Sequence, residues 1–139
     1  LSLLAAEKIL DNIEDILDDR LKFKEQLHSK ATYAHKIDKL EGKIDWNKSA
    51  QNIIGKINGL YPNPGAWFNY NGERYKILKA KIARGLGKPG LILDDRLEIC
   101  CNNSSIKVLE IQRQGKKIQN INEFKSGSQI KKGSILSNA

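Results

Sequence analysis

Leu3, Ala6, Ile9, Leu10, Ile13, Ile16, Leu17 and Leu21 recur at three- and four-residue steps, with acids and lysines between them. That spacing gathers apolar side chains on one face of an α-helix, so an amphipathic helix is predicted from Leu3 to about Gln26. Its apolar face needs a cover. Between Leu27 and Asn47 the period is lost: Ser29, Lys30, Ala31 and Thr32 give way to Lys36, Lys39 and Lys43. This stretch reads as an extended linker, longer than most connections inside one domain. Helical spacing returns at Ile53, Ile54, Ile57 and Leu60, behind Asn47 or Ser49 as the cap. Pro62 and Pro64 end that short helix because each lacks an amide hydrogen and fixes its own φ, and Gly65 permits the reversal that follows.

From Ala66 onward, short β-like runs alternate with turn signals. Residues 66–70 and 73–83 flank Asn71-Gly72, whose two positions tolerate positive φ and so mark a tight hairpin. Further breaks at 85–90, 94–96, 102–104 and 114–116 leave strand-like runs at 91–93, 97–101 and 105–112. The expected fold is mainly β with helical appendages: about six short strands in a small open barrel, preceded by the amphipathic helix and the extended linker. The pattern alone allows an OB-like barrel or an SH3-like roll. Trp46 and Trp67 flank the short helix, where large aromatics close the end of a small β core. Residues 122–124 start a helical turn, and 131–134 lead to a polar terminus.

Charge changes the picture because it is unevenly divided. Residues 1–50 hold nine Lys and Arg against ten Asp and Glu, a net −1, whereas residues 51–139 hold fifteen against six, a net +9. A basic surface on a small domain attracts polyanions, nucleic acid above all. The candidate contacts are Arg74, Lys76, Lys79 and Lys81 at alternating strand positions, Arg84, Lys88, Arg113, Lys116 and Lys117 in or near loops, and Lys36, Lys39 and Lys43 on the linker. Phosphate contacts of this kind give affinity and orientation with little sequence reading. Five of them predict a slope of log K against log salt of roughly −4.

Catalytic chemistry is thin by comparison. Asp94-Asp95 beside Arg96 reads as a solvated turn. Gly85-Leu86-Gly87-Lys88-Pro89-Gly90 lacks the glycine spacing and the Lys-Ser/Thr ending of a phosphate-cradling loop and reads as a mobile connection. His28 and His35 stand far from Cys100 and Cys101, with no metal-ligand spacing. The two cysteines are adjacent, poor partners for a disulfide, and would point to opposite faces of a strand with one packed in the core. No catalytic, cofactor-binding or metal residue is assigned. Early acids (Glu7, Asp11, Glu14, Asp15) argue against a secretory leader, and no apolar run approaches the ~20 residues of a membrane span, so a reducing, cytoplasmic setting without a membrane partner is expected. The length suits one domain with an appendage. With Leu1 first and no methionine anywhere, the chain is expected to be a fragment.

Ala31-Thr32-Tyr33-Ala34-His35-Lys36-Ile37, Lys43-Ile44-Asp45-Trp46 and Tyr61-Pro62-Asn63-Pro64-Gly65-Ala66-Trp67 resemble the interdomain segment and carboxy-terminal domain of methionyl-tRNA formyltransferase. His35 departs from the acid usual there. The resemblance implies that residues 1–26 correspond to the last helix of a Rossmann-like catalytic domain, 27–47 to the interdomain linker and 48–139 to an OB-like tRNA-binding domain. It also implies that formyl transfer from 10-formyltetrahydrofolate belongs to an upstream domain, where an Asn, the His of an Asn-x-His-Pro-Ser signature and an Asp do the chemistry. That signature does not occur in these residues, so this fragment is expected to be inactive and to hold no cofactor. The implied partners are initiator tRNA and the upstream catalytic domain, with self-association through residues 1–26 as a further option. Formyltetrahydrofolate dehydrogenase and sugar-nucleotide formyltransferases carry the same domain type. They have no reason to maintain a basic surface, and the charge balance favours the tRNA enzyme.

Overall fold

In the computed structural model, which describes residues 2–22, 24–128 and 130–137, the chain falls into two units that divide between His35 and Lys36. The first is built around helix α1, Ser2–Leu17. The helix expected to reach about Gln26 stops at Leu17, because Asp19 takes a left-handed φ of 53°. Arg20 N–H then donates to the Asp15 carbonyl at 2.9 Å and Asp19 N–H to that of Ile16 at 3.3 Å, the paired bonds that close a helix in the Schellman manner. Arg20 also pairs with Asp15 and Asp18. No residue of α1 is buried, and Leu3, Leu10 and Leu17 are each more than 70% exposed.

The second unit, Lys36–Ala139, carries nineteen Lys and Arg against nine Asp and Glu, a net +10. It opens on a 3-10 turn, Lys39–Gly42, whose capping box joins Asp38 and Glu41. Helix α2, Ala50–Leu60, starts where Ser49 Oγ accepts from Asn52 N–H. The strands are β1 (Ala66–Tyr70), β2 (Glu73–Ala83), β3 (Glu98–Cys100), β4 (Ser105–Arg113) and β5 (Ile118–Asn120), and α3 (Ile121–Gly127) follows with Asn120 as its cap. All pairings among these strands are antiparallel, in the order β1-β2-β4-β3, with β5 on the other end of β4. The sheet is open and does not close into a barrel, in keeping with the mainly β, open architecture expected. Residues 91 and 92 make isolated bridges instead of the separate strand read at 91–93.

Asn71 and Gly72 have φ of 49° and 79°, the hairpin conformation predicted from their identities. Inside the sheet, Tyr75 and Ile77 of β2 face Phe68 and Ala66 on one side and Ile111 on the other. Trp46, Ile53 and Ile57 pack into the same core with Ile99, Ile106, Val108 and Phe124. A relay of ring contacts runs from Trp46 through Phe68 and Tyr75 to Phe124, with centroids 5.6 to 6.0 Å apart. Such edge and offset contacts add to the burial of the rings themselves.

Residues 36–47 belong to this packing: Ile44 and Trp46 are buried, Lys43 bridges in parallel to Trp67, and Ile44 N–H donates to the Trp67 carbonyl at 2.8 Å. Lys56 of α2 fastens the segment, its Nζ donating to the carbonyls of Glu41 and Lys43 at 2.8 and 2.9 Å. The loop after β2 is also tied down, in contrast to the mobile connection expected. Gly85 N–H donates to Ser105 Oγ and Glu98 Oε1, and Gly90 N–H to the Cys100 carbonyl. This loop explains why both cysteines are buried: Cys101 lies in the main core, while Cys100 lies against Gly87 on the opposite side.

Candidate nucleic-acid interface

Along β2, Arg74 and Lys76 alternate with the buried Tyr75 and Ile77 and so point away from the core. Two register shifts between Ile77 and Ala80 then insert a bulge, which twists the strand without reversing this arrangement. Beyond it, Ala80 packs against the core, and Lys79 and Lys81 on either side of it are exposed. Four cations therefore occupy the solvent side of one strand over about 23 Å, from a rise of about 3.3 Å per residue. Sequence reading missed a fifth, Lys107, which the register sets directly opposite Lys81. The signal was its place in the Ser105–Arg113 alternation, between Ile106 and Val108.

Carboxylates temper part of this charge. Lys107 pairs with Glu98 at 3.2 Å and Lys79 with Glu110 at 3.8 Å. The second pair is exposed enough to contribute little. Arg74, Lys76 and Lys81 have no ion pair among the described residues. Like charges directly opposite each other, as Lys81 and Lys107 are, oppose sheet formation.

Segment 36–43 adds a wall to this surface. Trp67 stands on the same side of β1 as Arg74 and Lys76, where its Nε1–H donates to the Lys39 carbonyl at 2.9 Å. The Arg74 guanidinium lies 4.2 Å from the indole centroid, close enough for a cation–π attraction. The indole is consumed by these contacts and is only 4% exposed; it is no open stacking platform, yet unlike Trp46 it lies outside the main core, buried beneath segment 39–43. Ile37, Lys39, Asn63, Pro64, Trp67, Arg74 and Lys76 line a groove of about 580 Å³. Lys36 is exposed just before it, and Lys43 is half-buried beside Trp67.

The remaining candidates lie elsewhere. Arg84 and Lys88 are exposed on the loop after β2. Arg113 stands opposite Tyr75, on the core side of the sheet rim, and binds Glu73 through a short charge-assisted contact. Tyr75 Oη donates to the other Glu73 oxygen at 2.9 Å. The Arg113 guanidinium first, then the Tyr75 hydroxyl, hold the Glu73 carboxyl below its ordinary range, while burial pushes the Tyr75 phenol up. Lys116 and Lys117 continue this second cluster on the β4–β5 turn. Asp94 is a turn former, as read: its Oδ1 accepts from the amides of Arg96 and Glu98. Burial pushes the Cys101 thiol up to about 11. No described helix is long and apolar enough to cross a membrane, and no cluster of metal-ligating side chains occurs among the described residues.

Residues 36–129 match the family described as formyl transferase, C-terminal domain. The chain is 60% identical over 139 aligned residues to the methionyl-tRNA formyltransferase of Pelagibacter ubique, covering 99% of this chain and 45% of that protein. It is 40% identical over 131 residues to that of Rhodopseudomonas palustris, covering 91% of this chain and 42% of the relative. The chain thus spans less than half the length of the curated relatives it matches. Among solved structures, HypX from Aquifex aeolicus superposes with a TM-score of 0.66 at 18% identity, covering 96% of this chain and 27% of HypX. HypX in complex with tetrahydrofolic acid gives 0.63 at 19% identity, covering 96% of this chain and 26% of HypX. At that identity the likeness is one of fold.

Proposed function

This chain belongs to the formyl transferase C-terminal domain family, and on that footing we propose that its second unit is the tRNA-gripping part of a methionyl-tRNA formyltransferase. The observation that carries the reading is the row of cations on the solvent side of β2, joined by Lys107 and by Lys39 across the Trp67 groove. Holding Lys81 opposite Lys107 costs stability, and a polyanion bound across them relieves that cost. Lys36, Lys43, Arg84 and Lys88 extend the surface at its two ends. In the parent protein an upstream catalytic domain transfers the formyl group from 10-formyltetrahydrofolate to the amino group of methionyl initiator tRNA in the cytoplasm. The present residues orient the acceptor stem for it. Identity to methionyl-tRNA formyltransferases along almost the whole chain favours this enzyme over sugar-nucleotide or folate-linked relatives.

A gel-shift titration of initiator tRNA at two salt concentrations tests the proposal. With four to five phosphates neutralised, affinity falls about 100- to 500-fold between 50 and 200 mM salt. Lys76→Gln combined with Lys81→Gln removes two contacts and reduces the slope by roughly 1.4 to 1.8. Binding equal to that of a neutral protein of this size, or a slope that the double variant leaves unchanged, refutes it.

The exposed apolar side of α1 favours a second role for residues 1–26, docking on the upstream domain or pairing with another copy. Sedimentation with and without those residues separates assembly from RNA affinity: loss of a dimer with binding retained assigns the helix to assembly.

A further inference from the structure

Three candidate cations that do not join the β2 surface, Arg113, Lys116 and Lys117, line a cavity of about 300 Å³ between the β4–β5 turn and α3, together with Tyr75, Phe124 and Ser128. We propose that this cavity is a separate anion site that takes a single phosphate group. Three of its side chains are cationic and none of the lining residues is acidic. Glu73, just outside, engages one guanidinium nitrogen of Arg113 and fixes that side chain in place. A guanidinium has further donors whose planar geometry matches phosphate oxygens.

The turn that presents the two lysines is fastened before any ligand arrives. Gln112 Nε2–H donates to the Lys116 carbonyl at 2.9 Å, Lys116 N–H to that of Arg113 at 3.0 Å, and Gln114 N–H to that of Arg74 at 2.9 Å. Binding therefore orders only the lysine side chains, which keeps its entropic cost low. Tyr75 and Phe124, both nearly buried, form an apolar floor beneath the cations, and a poorly hydrated wall strengthens charge attraction at its surface. The end of α3 presents carbonyls, not amides, at Gly127 and Ser128. Attraction must come from the cations, and the lysines are the ones to test.

The experiment titrates inorganic phosphate, then pyrophosphate, into the isotope-labelled full chain and follows the amide resonances of Lys116, Lys117, Gln119, Gly127 and Ser128. Saturable shifts are expected there, weakened at least tenfold in Lys116→Gln with Lys117→Gln and retained in Lys76→Gln with Lys81→Gln. Shifts that do not saturate, or the same affinity in the Lys116/Lys117 variant, overturn the site. An unchanged spectrum at core residues such as Ile77 and Ile99 shows that each variant is folded. Adding an eight-residue oligouridylate to the phosphate-saturated protein identifies the source: displacement assigns the site to an RNA phosphodiester, and no displacement assigns it to a free phosphoryl anion. Loss of RNA affinity in the Lys76/Lys81 variant with these shifts intact shows the two surfaces to be independent.

Discussion

Gly42 is where the surface proposed for RNA depends on one missing carbon. A Cβ built there would lie 2.4 Å from the Gly65 carbonyl oxygen, 2.9 Å from Trp67 Cδ1 and 3.0 Å from Trp67 Nε1. The nearest obstacle is backbone, so no rotamer change relieves Gly42→Ala. Overpacking of this sort costs about 1–3 kcal/mol if the segment stays in place. The alternative is for residues 36–43 to lift away. That gives up the Trp67 to Lys39 bond and both Lys56 bonds, at about 0.5–1.5 kcal/mol each. It also re-exposes part of an indole, so detachment costs no less than staying. A loss of about 2–3 kcal/mol lowers Tm by roughly 8–20 °C for a unit of this size. Thermal unfolding by circular dichroism, with tryptophan emission recorded on the same sample, provides the measurement. Detachment shifts emission to the red, and removing Lys39 from the groove weakens RNA binding in parallel. A Tm within about 2 °C of the parent with unshifted emission refutes the account of how Trp67 is seated.

Lys56→Met removes a charged donor from two carbonyls and costs about 1.5–3 kcal/mol in urea denaturation; a loss below about 0.5 kcal/mol shows that the clasp is idle. Glu73 has a folded-state pKa below its ordinary 4.5, so its contribution is present above that value and fades as pH falls through the lower, folded-state one. Glu73→Gln should flatten the acid limb of a stability profile between pH 3 and 6, and an unchanged limb contradicts the pairing. Cys100 and Cys101 should resist a thiol reagent in the native protein and react fully in urea, since both are buried and the Cys101 thiol is pushed up to about 11; rapid native labelling of one equivalent at neutral pH would falsify that. Because the Cys101 value is raised from 9.0, its contribution holds below that pH and is lost as pH rises towards 11. Ser105→Ala deletes the 2.6 Å bond to Glu98 and one of two acceptors of Gly85 N–H. Hydrogen exchange at Gly85 should speed up several-fold, and unchanged exchange would show that Glu98 alone holds the loop.

The elements whose rules are local were legible in the residues. Asn71-Gly72 specified its hairpin because few other pairs accept two positive φ values. Asn47 and Ser49 announced a helix start, of which the structure uses Ser49, and the alternation of Arg74, Tyr75, Lys76 and Ile77 separated a wet side from a dry one. The concentration of positive charge after residue 50 needed only counting. What tertiary structure decided depends on contacts between distant residues. The β2–β4 register put Lys107 beside Lys81 and left Arg113 on the other side of the sheet, a separation invisible to a list of basic positions. Residues 36–47 lost their apolar period because, beyond the local 3-10 turn, they are held by Trp67 and Lys56. The loop after β2 looked free for the same reason, since Ser105 and Glu98, which tether it, arrive from another strand. Periodicity records the bonds a segment makes with itself, and these segments make theirs across the fold.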